Sequence, residues 1–192
     1  MHEHNLVPTT KEMRFHMDAP LARREFREAF YKILSHLHQE APLILLCIGT
    51  DRSTGDALGP LVGERLAPCA PKTKVLGNLS APVHAVNLKK VLEDINSHYI
   101  NPFIIAIDAS LGRSENVGTI KLAPGALKPG AGVKKDLPPV GNFHITGIVN
   151  IGGFMEYMVL QNTRLFTVMK MADIIADGIH WGLVKHFGTA SR

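Results

Sequence analysis

A chain of 192 residues, 45% hydrophobic and 20% charged, has the size and composition of one soluble globular domain with a sizeable core. Its formal charge of +4 comes from scattered basic residues, such as Arg23-Arg24, Lys89-Lys90 and Lys134-Lys135, with no dense run and no interleaved aromatics. That pattern argues against a dedicated nucleic-acid surface and leaves solubility or an acidic partner as its use. Two cysteines, Cys47 and Cys69, make no disulfide framework, and neither a signal pattern nor an apolar run of membrane-spanning length is present. A cytoplasmic protein with no membrane partner is expected.

Residues 1–19 are polar and without periodicity, and are expected to be a mobile N-terminal segment; residues 20–192 form the single domain. His2, His4 and His16 in the first segment read as solvated. From Pro20 to Glu40, Leu21, Phe26, Phe30, Ile33, Leu34 and Leu37 recur at helical spacing, which predicts an amphipathic helix covering one sheet face. The apolar run Leu43–Ile48 predicts a fully buried strand with Cys47 as an inert thiol. A polar, small-residue loop from Gly49 to Gly55 follows, and Asp56 opens a helix to Leu66, with Pro60 tolerable in its first turn.

Lys74–Leu79 reads as a short strand, and Val83–His98 as a helix on which His84 and His98 take solvent-facing positions. Phe103–Ile107 is a second buried-strand run, ending in Asp108. Residues 112–142 are rich in Gly and Pro and include one strand-like piece, Gly118–Leu122. Ile145–Asn150 predicts a last strand, Phe154–Gln161 a short helix and Thr163–Phe187 a long one. This strand, helix, strand rhythm argues for an α/β fold with a largely parallel sheet.

Two short apolar strands, each delivering an aspartate at or just past its carboxyl end, would place Asp56 and Asp108 on one rim if the strands are neighbours. Such a pair can share a proton, activate a water or hold a divalent metal. Each aspartate alone is equally well read as a cap of a helix or turn; the two together favour function. Ser53, Thr54 and Ser110 lie near in sequence and are placed to orient the pair. No nucleophile elbow, P-loop or dinucleotide fingerprint is present.

The loop GTDRSTGDALGP (residues 49–60), the strand end AIDA (106–109) and the later HITGIVN (144–150) together resemble the YyaC family of sporulation proteins. That family is similar in turn to the germination protease of spore-forming bacteria. The protease shares the Asp-Ala-Leu-Gly-Pro and Ala-Ile-Asp-Ala stretches and a Pro-Gly-rich loop comparable to Lys128–Val133, and cleaves small acid-soluble spore proteins. The resemblance implies an endopeptidase whose two catalytic aspartates fall on Asp56 and Asp108, acting on a protein or peptide substrate in the developing spore. It also implies a three-layer α/β/α sandwich with a mainly parallel twisted sheet, hydrolase-like and of the hydrogenase-maturation-protease type. Those maturation endopeptidases, more distant relatives, use two acidic residues and a histidine to sense nickel; if a metal is present, Asp56, Asp108 and His144 would be its ligands by chain order. The expectation is hydrolysis by a carboxylate pair without a required cofactor, in a chain that can self-associate. A metal-dependent peptidase and a non-catalytic sporulation protein keeping the protease fold are the alternatives.

Overall fold

The structure is a computed structural model and describes residues 11–129 and 137–188. Its frame is a six-stranded sheet of β1 (Met13–His16), β2 (Leu43–Cys47), β3 (Thr73–Leu76), β4 (Phe103–Gly112), β5 (Thr119–Pro124) and β6 (Phe143–Ile151), in the order β1-β5-β6-β4-β2-β3. β6, β4, β2 and β3 run parallel, while β5 and β1 add antiparallel strands at one edge. The helices are α1 (Ala22–Leu34), α2 (Leu58–Leu66), α3 (Leu88–His98), α4 (Glu156–Gln161) and α5 (Leu165–Phe187).

Strand alternation divides the apolar residues between two faces. Leu43, Leu45 and Cys47 of β2 join Ile105 and Ile107 of β4 in a core shared with α1, α2 and α5. Leu46 and Ala106 point the other way, into a smaller core with Leu88, Val91 and Leu92 of α3. Helices therefore cover both faces. On the larger face Phe26 and Phe30 of α1 lie against Gly178 and Gly182 of α5, whose missing side chains let the helices approach. Each fully buried ring contributes about 1.5–3 kcal/mol. Arg27 clamps Asp177 with two bonds of 2.8 and 2.7 Å, and Arg65 reaches Asp173 at 2.8 Å, tying α1 and α2 to α5. Burial pushes the Cys47 thiol up to about 12, in keeping with an inert sulfur.

The chain order sets where a ligand belongs. From β2 the chain passes through α2 to β3 at the sheet edge, then crosses through α3 to β4 on the other side of β2. The helix that follows β2 and the helix that leads into β4 thus lie on opposite faces, and the carboxyl ends of β2 and β4 sit side by side at the rim where ligands bind in open α/β sheets.

Several elements differ from the sequence expectations. Met13–His16 is an edge strand paired with β5, so the loose N-terminal segment does not extend over residues 13–16; residues 1–10 lie outside the described residues. Met13 and Phe15 alternate with Arg14 and His16, a period-two pattern too short to stand out without its partner strand. α3 begins at Leu88 instead of Val83, because Asn87 folds back on the preceding turn, accepting from the His84 amide at 2.8 Å and donating to the Pro82 carbonyl at 3.0 Å. β4 runs four residues past Asp108, since β6 continues its ladder to Ile151. Part of the Pro-Gly-rich loop, residues 130–136, also lies outside the described residues.

α2 packs directly on the end of β2. A Cβ at Gly59 would run into the backbone of Ile48. In an open helix alanine is favoured over glycine by about 1 kcal/mol; here Gly59→Ala is expected to reverse that sign and cost about 1–3 kcal/mol by overpacking, measured by urea unfolding.

Candidate active site

The site is built where β2 ends. Ile48 donates to the Ile107 carbonyl of β4 at 2.7 Å and bridges Val83 on its other side. Gly49 then turns with φ of 140°, a backbone geometry that L side chains rarely adopt, and gives its amide to the Val83 carbonyl at 2.8 Å. The Thr50 amide closes the loop on the Asp56 carbonyl at 3.1 Å. A single 3₁₀ turn, Gly55–Ala57, carries Asp56 into α2. From outside, Leu160 and Thr163 press against Gly55. The loop is thus gripped by β4, the Val83 segment and the α4 region.

Asp108 comes from β4, one residue past the last rung of the β2 ladder, where Cys47 meets Ile107. It is paired with Thr146 of β6, is only 6% exposed, and accepts the Ala109 amide at 2.8 Å. Just beyond it the β4–β6 register shifts between Ser110 and Leu111, an irregularity of the kind that re-aims side chains near sites.

The electrostatics join the two carboxyls. Burial, and then the negative charge of Asp56, hold Asp108 well above the usual carboxylate range, against a smaller opposing pull from the Ala109 amide. Burial also raises Asp56, while His84 and the Thr50 amide pull it back toward ionisation. The pair therefore favours one proton on Asp108 and a charge on Asp56. Neither aspartate serves as a cap: Asp108 is mid-strand, and no side-chain hydrogen bond caps α2 or the turn before it.

The other expected residues divide. Ser110 donates to the Gly147 carbonyl at 3.3 Å instead of to Asp108. Ser53 is buried with its Oγ unpartnered among the described residues. His144 does sit on β6, but in register with Ala106, and its Nδ1 donates to the Gly125 carbonyl at 2.9 Å. Among the described residues no three His, Cys, Asp or Glu side chains are grouped to hold an ion. Asp56, Asp108 and His144 thus do not form the expected ligand set, because β6 delivers His144 two rungs short of Asp108 and the Gly125 carbonyl engages its ring.

The histidine that does influence the pair is His84, expected on the solvent face of a helix. Pro82 before it and Asn87 after it are the signals that place it in a turn, zipped by Val83 onto the end of β2. A further feature lies beyond the β6 end. Phe154 is 82% exposed, and Tyr157, Met158, Leu165 and Phe166 are also exposed, on α4 and its flanks.

Fold and site define a mixed α/β protein, helices on both faces of a mostly parallel sheet, with one buried and one half-buried carboxyl at the neighbouring ends of β2 and β4. The chain belongs to the family described as protein of unknown function (DUF1256), which matches residues 14–178. It is similar to the uncharacterized protein YyaC of Bacillus subtilis (strain 168), with 53% identity over 168 residues that cover 85% of this chain and 80% of that protein. No helix among the described residues is long and apolar enough to cross a membrane.

An acid held above its normal pKa in the folded state makes the native protein bind more protons than the unfolded one, so its stability contribution falls as pH rises. Asp108→Asn removes that dependence. The variant is expected to be more stable than the wild type at neutral pH, with the difference vanishing below the ordinary aspartate value of 3.8, as read from unfolding curves across pH.

Proposed function

We propose that this chain is a peptidase that hydrolyses peptide bonds with the Asp56–Asp108 pair. The observation that carries the reading is the burial of Asp108 beside a second carboxylate, an arrangement that holds a proton well above the usual carboxylate range and that packing alone does not require.

Asp108, protonated, donates a hydrogen bond to the scissile carbonyl oxygen. Asp56, more exposed and ionised, takes a proton from a water as the water oxygen attacks the carbonyl carbon. When the C–N bond breaks, Asp56 returns that proton to the leaving nitrogen, and the pair regains its starting state. His84 and the Thr50 amide support the charge on Asp56 before attack.

Two further points support a polypeptide substrate. The family resemblance of the residue 49–60 and 106–109 stretches is to an enzyme that cuts small acid-soluble spore proteins, which makes the cytoplasm of the developing spore the place of action. The exposed Phe154, Tyr157, Met158 and Phe166 flank the segment pressed on the Asp56 loop, and an apolar surface of this kind suits docking of a protein chain. The same resemblance supports a hydrolase-like sandwich of the hydrogenase-maturation-protease type as the finer description of the fold.

Purified small acid-soluble spore proteins are expected to be cut into defined fragments by the wild type. Asp56→Asn and Asp108→Asn should each lower the rate by about 10²–10⁴-fold, the usual contribution of a positioned acid or base, and stay folded. Intact substrate after incubation with well-folded wild-type protein would contradict the reading.

A further inference from the structure

A cleft of about 580 Å³ opens along the end of β3, between the carboxyl end of α2 and the start of α3. Its size falls within the roughly 300–1,000 Å³ of ordinary ligand pockets. His84 lines it, so one residue borders both the cleft and the charge of Asp56.

The chemistry of the walls is one-sided. Ala67, Val75, Leu76, Val83 and Val91 contribute apolar surface, and Val75, Leu76 and Val91 are only half-buried there. The two amide side chains are already committed to shaping the rim. Asn78 accepts from the Ala81 amide at 2.8 Å, and Asn87 bonds both the His84 amide and the Pro82 carbonyl. Among the lining residues His84 alone is titratable. An apolar guest gains from burial here, while an ionic one would lose its water and find no counter-charge.

His84 marks which end of the cleft faces the chemistry. Its Nδ1 accepts from the Val86 amide at 3.3 Å, which leaves the Nε2–H as the ring's remaining donor. The backbone just before it is fixed in place, because Val83 is bridged to Ile48 and holds the Gly49 amide.

We propose that this cleft is the subsite for an apolar side chain of the polypeptide next to the bond that is cut, with His84 Nε2–H donating to the adjoining peptide carbonyl. The inference deepens the peptidase reading and rests on it for the identity of the guest. It makes the substrate class a chain with an aliphatic or aromatic residue beside the scissile bond, and makes Asp56 and His84 neighbours of the same bound peptide.

The test is binding, followed by NMR on the full-length isotope-labelled protein with N-acetyl-leucine methylamide as probe and the lysine and glutamate analogues beside it. The leucine amide is expected to shift the methyls of Val75, Val83 and Val91 and the Nε2 resonance of His84, while the two charged amides leave them in place. Ala81→Trp fills the cleft from an exposed position whose contacts are through the backbone. It should weaken leucine-amide binding by about tenfold or more, as loss of an apolar pocket does, with an unchanged unfolding midpoint. Equal binding of the three amides, shifts confined to other regions, or wild-type affinity in Ala81→Trp would overturn the proposal. Binding and hydrolysis are separate readouts. The leucine amide seated in the cleft of a protein that cuts no spore protein would keep the subsite and remove the peptidase reading; cutting without apolar preference and without cleft shifts would do the reverse.

Discussion

A carboxyl buried in the middle of a parallel sheet, with a second carboxylate for a neighbour, is the constraint on which the rest of this structure depends. Asp108 loses its water to the fold and gains one backbone amide in return. Charged, it would be among the most costly groups in the protein; protonated, it is a hydrogen-bond donor held inside a water-poor crevice. The fold therefore stores a proton at one defined point, and Asp56, better exposed and attended by His84, becomes the charged partner. Sequences that fold well seldom place an acid in a central strand unless the position serves a purpose beyond packing.

Holding the pair demands rigidity on both sides. Asp108 is fixed because β4 has ladder partners on each edge, β2 up to Ile107 and β6 beyond it. Asp56 is fixed by close approach: Gly49 and Gly59 let the loop and α2 lie directly on the end of β2, and the α4 region closes over Gly55. Arg65–Asp173 and the packing of α2 on α5 anchor that helix to the main core. Stability and site geometry are thus one problem here, and the same contacts that bury apolar surface set the relation between the two carboxyls.

Much of this was legible in the residues. The unbroken apolar runs before Gly49 and Asp108 announce buried strands, and the amphipathic patterns of α1 and α5 announce covering helices. What failed to show was whatever depends on a partner far away in sequence. Ala109-Ser110-Leu111-Gly112 reads as chain that follows a strand ended at Asp108, but β6 supplies rungs that carry β4 through it. Met13–His16 becomes a strand only because β5 is there to receive it. His144 shares a strand with the residue opposite Asp108 but lies two rungs short of it, and the Gly125 carbonyl, nineteen residues away in sequence, takes its ring. His84 was hidden by a helical-looking pattern that Asn87 interrupts from inside.

The central claim, that Asp56 and Asp108 share one site and one proton, is tested most directly by following the side-chain carboxyl ¹³C resonances of both aspartates through a pH titration. Asp108 is expected to titrate well above the ordinary aspartate range, and Asp56→Asn, by removing the like charge, to bring that midpoint down. An Asp108 that titrates in the ordinary range, or whose midpoint ignores the substitution at Asp56, would contradict it.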